Sequence, residues 1–167
     1  MGTLDNEFVK FGKTVAEVMN HRGSATDVEL DANIGFVLLD KEERKGLQAF
    51  TQPERYVYAV EGMVREVNNG GWSQFFGNSS GVLAADLVPA LKAIGAAKGI
   101  AIAERSLGIF GKPKSLSDED RSAHLARITG NYEKSLWDEL DGEYYDNAED
   151  YEGMIIAYIA NNLEAFR

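Results

Sequence analysis

The sequence predicts an all-α protein, a single-domain irregular bundle of about seven to nine short helices. Three observations carry that prediction. Apolar residues recur at three- and four-residue steps through most of the chain. Helix-start signals stand before several of these runs. Turn-rich breaks close them, and the densest break is Glu66 to Gly81, EVNNGGWSQFFGNSSG, with helical patterns on both sides.

Leu4, Phe8, Phe11, Val15 and Val18 make one apolar face, so a first helix is expected over about Leu4 to Asn20, ended by His21-Arg-Gly-Ser24. Residues 25–50 are ambiguous: Ile34, Phe36, Val37, Leu38 and Leu39 suit a strand or a short helix, and the helical surroundings favour the helix. Lys41 to Lys45 reads as a charged, exposed turn or helix. Thr51-Gln-Pro-Glu54 is a capping box: Thr accepts from a free backbone N–H, Pro suits the first turn, and Glu reaches back. Tyr56, Val57, Val60, Met63, Val64 and Val67 then define a central helix that stops at Asn69-Gly70-Gly71, where glycine permits a left-handed exit.

Trp72 to Phe76 is expected to form one short helical turn, and Asn78-Ser-Ser-Gly81 the next cap. Helices are expected over Val82 to Ile94, with a break at Gly95 or Gly99, and over Ala96 to Phe110. Gly111-Lys-Pro-Lys114 is a loop. Ser117-Asp-Glu-Asp starts a helix with acids where the dipole favours them, and Gly130 ends it after Thr129. Trp137, Leu140 and Tyr144 face the core in the next helix. Ile155, Ile156, Ile159 and Leu163 do so in the last. The expected organisation is an N-terminal helical extension over 1–50, packed on or leading into a helical domain over 51–167.

Composition narrows the functions. The chain has 167 residues, 44% of them hydrophobic, enough for one core without staples. It has no cysteine, which removes disulfides and thiolate metal sites and fits a reducing compartment. The start lacks a charged leader with an apolar block, and no run approaches the roughly 18 apolar residues of a membrane span, so a cytoplasmic protein is expected. A net charge of −10 disfavours direct binding to nucleic acid or to anionic membranes. The charge is uneven. Residues 87–130 hold 4 acids and 7 bases, whereas residues 131–167 hold 10 acids and 2 bases.

Catalytic signals are weak. Without cysteine, a nucleophilic serine needs a histidine base, and only His21 and His124 exist. Each follows an acid by four residues, Glu17 and Asp120, a spacing that reads as a surface ion pair or a cap. Glu-x-x-His pairs for a carboxylate metal site are absent, as is a phosphate-binding glycine loop, so no metal and no cofactor is expected. Glu61 and Glu66 are the candidates for a carboxylate pair, and the bland reading is exposure or bonds to nearby backbone. Asn68, Asn69, Gln74 and Asn78 beside Trp72, Phe75 and Phe76 suggest either a pocket or buried amides that satisfy a helix end. A pocket containing Glu61 or Glu66 with a raised pKa, beside Asn68 and Gln74, would favour the former.

Asp138, Glu139, Asp141, Glu143, Asp146, Glu149, Asp150 and Glu152 form an acidic run without a base. On a helix, Asp138 and Asp141 share one flank and Glu139, Glu143 and Asp146 another. Such a run is a solvated face, or a surface that meets something basic. Carboxylates on rigid helices can imitate the charge pattern of DNA, about one negative charge per 1.7 Å of axis.

The run at 66–81, with ALKAIGA at 90–96 and LWDELDGEYY at 136–145, resembles the bacterial family named after a nineteen-kilodalton DNA mimic protein. The resemblance covers roughly residues 50 to 167. It rests on Glu66, Asn68, Asn69, Gly70, Gly71, Trp72, Gln74, Phe75, Phe76, Asn78 and Gly81, for which a structural role is expected. It implies an all-α fold, no established enzymatic activity, and action by binding: the named member occupies the DNA-binding surface of a transcription factor. The expectation is therefore a non-enzymatic acidic protein that docks on a basic, nucleic-acid-binding surface of a partner protein and inhibits it. The alternatives are an immunity protein that neutralises a bacterial toxin such as a nuclease, and a small-ligand binder or enzyme using 66–81. Oligomeric state is not legible.

Overall fold

The structure, a computed structural model, describes residues 10–113, 115–131 and 135–166. Among them the fold is all-α, with eight α-helices, three short 3-10 turns and no strand. The helices are α1 (Val15–Met19), α2 (Asp27–Lys45), α3 (Gln52–Gly77), α4 (Ala84–Ile94), α5 (Ala97–Phe110), α6 (Asp118–Asn131), α7 (Ser135–Asp146) and α8 (Tyr151–Asn161). The chain forms two compact units, one of residues 1–58 with 150–167, the other of residues 59–149. Helix α3 contributes to both.

In the first unit, α1 and α8 each pack on α2. Its core includes Val15, Val18, Leu30, Ile34, Leu38, Ile155, Ile156, Ile159 and Phe166. Two capping boxes start its helices: Thr14 with Glu17 at α1, and Thr26 with Glu29 at α2. The first helix is therefore much shorter than the apolar spacing suggests. Thr14 takes an extended conformation, and residues 10–14 approach α2 as irregular chain, where Lys10 N–H donates to Asn33 Oδ1 at 2.8 Å. Leu4 and Phe8 lie outside the described residues. The ambiguous stretch resolves as α2, with Lys41 to Lys45 at its C-terminal end.

The Thr51–Glu54 box is present in both directions: Thr51 N–H donates to Glu54 at 2.8 Å, and Glu54 N–H to Thr51 Oγ1 at 3.3 Å. Val57, Val60, Met63 and Val67 are fully buried along α3. The helix is interrupted where expected. Gly70 has φ −163°, ψ 20°, and Gly71 has φ 81°, ψ −179°. The interruption is not the left-handed exit expected there, because Gly71 combines positive φ with extended ψ. The chain then re-enters a helix at Trp72 along a new course. We call residues 52–69 the first arm of α3 and 72–77 the second.

In the second unit, α4 packs on α5 and α5 on α7. A 3-10 turn over Ser79–Leu83 precedes α4, so that helix starts at Ala84 instead of Val82. Gly95 ends α4 in the left-handed conformation, φ 84°, ψ 18°. Helix α6 continues through Gly130 to Asn131, past the expected stop. Leu163 lies in a 3-10 turn after α8 and is exposed, so it is not part of the last helix's core face. Trp137, Leu140 and Tyr144 are buried on one face of α7, as their spacing predicts.

Candidate functional site

The break in α3 leaves two kinds of orphan backbone group: carbonyls at the end of the first arm and N–H groups at the start of the second. Helix α7 supplies partners for both. Tyr145 Oη donates to the Val67 carbonyl at 2.8 Å, and Trp72 N–H donates to Asp141 Oδ1 at 2.8 Å. The rings of Trp72 and Tyr144 meet edge-to-face, with centroids 6.2 Å apart. A Cβ on Gly71 would stand 2.2 Å from Asp141 Oδ2, so this carboxylate can approach only a glycine. Two of the three sequence stretches that carry the family resemblance, 66–81 and 136–145, are thus the two sides of one joint.

Glu66 organises the other side. Its Oε2 accepts from Gln74 Nε2 at 2.8 Å and from Asn78 Nδ2 at 2.7 Å, and its Oε1 accepts from Ser80 Oγ at 3.3 Å and from the Arg65 guanidinium at 3.4 Å. Burial pushes this carboxyl up, but the Gln74 and Asn78 amides and the Arg65 charge outweigh it and hold the pKa below the usual glutamate value. The direction is opposite to the raised pKa that would favour a pocket at Glu66. The amides serve a carboxylate, not the backbone. Asn68 and Asn69 are exposed, so the expectation of buried amides fails for these two. Glu61 is buried.

The C-terminal end of the second arm is closed by Arg121, which the sequence reading missed. Only 1% exposed, it donates to the carbonyls of Phe76 (3.2 Å), Asn78 (2.6 Å) and Leu116 (2.5 Å), and to Asp118 Oδ1 (2.9 Å). A Cβ on Gly81 would lie 2.4 Å from the Phe76 carbonyl oxygen and 2.9 Å from Arg121 Nε, which explains that glycine. A signal existed: Arg121 falls on the helix stripe of His124 and Leu125. Trp72, Phe75 and Phe76 are fully buried, and Phe76 stacks on Phe110 with centroids 4.3 Å apart.

Neither histidine pairs with its neighbouring acid. His124 is buried; its Nε2 donates to the Phe110 carbonyl at 2.5 Å and its Nδ1 accepts from Arg127 at 2.7 Å. Arginine is donor only, which fixes the ring proton on Nε2. Asp120 instead accepts from Ser115. Glu17 is occupied by the Lys13 and Thr14 N–H groups, and His21 lies against the Phe11 ring.

The acidic run does not present one uniform face. Five of its carboxylates lie on α7, where Asp138, Glu139 and Asp146 are exposed. Glu143 and Glu139 both meet Arg105 of α5, the latter at 3.4 Å. Asp141 is half-buried in the joint. Burial pushes its carboxyl up, the Trp72 N–H pulls it down, and the charge of Asp138 adds to the rise, leaving it above the ordinary value. Beyond α7, Glu149 accepts from Gly99 N–H at the start of α5 at 2.8 Å. Asp150 caps α8 through Gly153 N–H, and Glu152 lies near Asp31 of α2. Among the described residues no group of three or more acidic or histidine side chains is arranged to hold a metal ion, and no helix is long and apolar enough to cross a membrane.

Fold and joint define an all-α protein built around a clamped, broken helix. The family model described as DMP19-like protein matches residues 48–162, and the chain belongs to that family. Searches of curated proteins and of solved structures gave no match.

Proposed function

We propose that this chain is a non-enzymatic binding protein whose acidic α7 edge docks on the basic, nucleic-acid-binding surface of a protein partner and blocks it. One observation carries the reading: α7 projects Asp138, Glu139 and Asp146 into solvent while its opposite face is locked into the joint. The acids are thus mounted on a rigid element, as mimicry of a stiff polyanion requires. From Asp138 to Asp146 the helix rises about 12 Å and exposes three carboxylates, against about seven backbone charges on the same length of duplex. Family membership and the net charge of −10 support the same reading.

The experiment is capture of partners from the native host by the wild type and by a D138K/E139K/D146K variant, followed by competition with duplex DNA. The expected result is a DNA-binding protein that the variant binds at least about tenfold more weakly, with binding that falls as salt rises and that DNA displaces. Retained binding by the variant at low salt sinks the proposal. A captured toxin that DNA does not displace replaces mimicry with the immunity reading.

A further inference from the structure

The first unit contains a cleft of about 230 Å³ that the joint does not use. Four cationic side chains line it: Lys13 from the irregular N-terminal segment, Lys41 from α2, and Arg44 and Lys45 from the last turn of α2. We propose that this cleft binds a compact organic anion, with a carboxylate or phosphate head between Lys13 and Lys45 and a small apolar body against Val15 and Val37.

The charge arrangement argues for it. Two acids also line the cleft, and both are already neutralised. Glu54 receives Lys41 Nζ on its two oxygens at 2.6 and 2.7 Å, and Asp40 Oδ1 meets Arg44 Nε at 2.8 Å. That leaves Lys13 and Lys45, which are exposed and form no ion pair with any described residue. In a chain of net charge −10, a cleft that gathers an uncompensated excess of two positive charges is a local reversal that an anion would stabilise. The pairings also fix its geometry. Glu54 is 2% exposed and holds the Thr51 N–H as well, so Lys41 is anchored and shapes the floor instead of reaching for a ligand. Apolar lining from Val15, Val37, Leu38 and Phe166 favours an anion with an apolar body over a bare inorganic ion. Most of the lining residues precede residue 48, where the family match begins, so this site is independent of the function proposed for α7.

The test is amide NMR of the full chain titrated separately with benzoate, phenyl phosphate and inorganic phosphate. The expected result is saturable shifts at residues 13–15 and 37–45 with benzoate or phenyl phosphate, at a Kd below about 1 mM, and several-fold weaker binding of inorganic phosphate. The preferred organic probe identifies the head group. A K13A/K45A variant should bind at least about tenfold more weakly with its spectrum otherwise unchanged, and K13R/K45R should retain binding. The absence of saturable shifts overturns the proposal. So does equal binding by the K13A/K45A variant, or equal binding of all three probes.

Discussion

The backbone N–H of Trp72 donates to the side chain of Asp141 at 2.8 Å, across 69 residues of sequence. A carboxylate that reads as part of an acidic surface is in fact the cap of a helix that restarts after a glycine break. Tyr145, four residues further along α7, holds the Val67 carbonyl on the other side of the same break. One helix therefore splints both ends of the interruption in another.

Replacing Asp141 separates capping from charge. Asp141→Ala leaves the Trp72 N–H without its acceptor and should destabilise the protein by about 1–2 kcal/mol in urea unfolding. Asp141→Asn keeps an acceptor oxygen and removes a carboxylate whose ionised form is disfavoured by burial. At pH 7 its stability should stay within about 0.5 kcal/mol of wild type. Equal losses in the two variants would place the importance of Asp141 in its charge.

The adjacent glycines should behave differently. At Gly71 a side chain meets both a positive φ with extended ψ and a carboxylate 2.2 Å away, so Gly71→Ala should cost about 3 kcal/mol or more. At Gly70 φ is −163°, which any residue adopts, and the nearest obstacle is the Gln74 side chain, which can shift at the cost of its bond to Glu66. Gly70→Ala should cost about 1 kcal/mol. Thermal unfolding of the pair gives the order directly.

Sequence signals were legible where cause and effect lie close together. The Thr51–Glu54 box, the interruption at Gly70-Gly71 and the buried stripe of Trp137, Leu140 and Tyr144 each depend on neighbours within one or two turns. The failures involve partners distant in sequence. Nothing near Asp141 announces Trp72, and nothing near Arg121 announces the Phe76 and Asn78 carbonyls. His124 stands four residues after Asp120, yet α6 turns that histidine inward to Phe110. For the same reason the acidic run overstated its free surface. Its residue types were readable, but the commitments of Glu143 to Arg105 and of Glu149 to Gly99 depend on how α5 packs.

Glu66 gives a pH signature. Its pKa lies below the usual value in the folded protein, so the stability it contributes is complete above the unfolded glutamate pKa of about 4.3 and is lost as pH falls through the depressed folded value. Glu66→Gln cannot accept from Gln74, Asn78, Ser80 and Arg65 as the carboxylate does, and should be about 1–3 kcal/mol less stable at pH 7. Urea titrations at successively lower pH should show the gap closing below about pH 4. A gap of constant size would mean that the carboxylate's ionisation is irrelevant to the network.

Asp31 of α2 should show the opposite dependence. Its Oδ1 is buried without a hydrogen-bond partner. Burial, and then the charge of Glu152 on α8, push its pKa up to about 7. Between the unfolded aspartate value of about 3.9 and that raised value, the folded chain holds a proton that the unfolded chain has released. The contribution of this group to stability therefore falls as pH rises through this window, and its penalty is complete above about pH 7. Asp31→Asn has no such proton to lose. Relative to wild type it should gain about 2–4 kcal/mol between pH 4 and pH 8, read from urea midpoints across the range. Glu152→Gln should remove part of the same slope, because it removes the charge while leaving Asp31 buried. A stability difference between Asp31→Asn and wild type that does not change with pH would mean that Asp31 ionises in the folded protein as freely as in the unfolded chain.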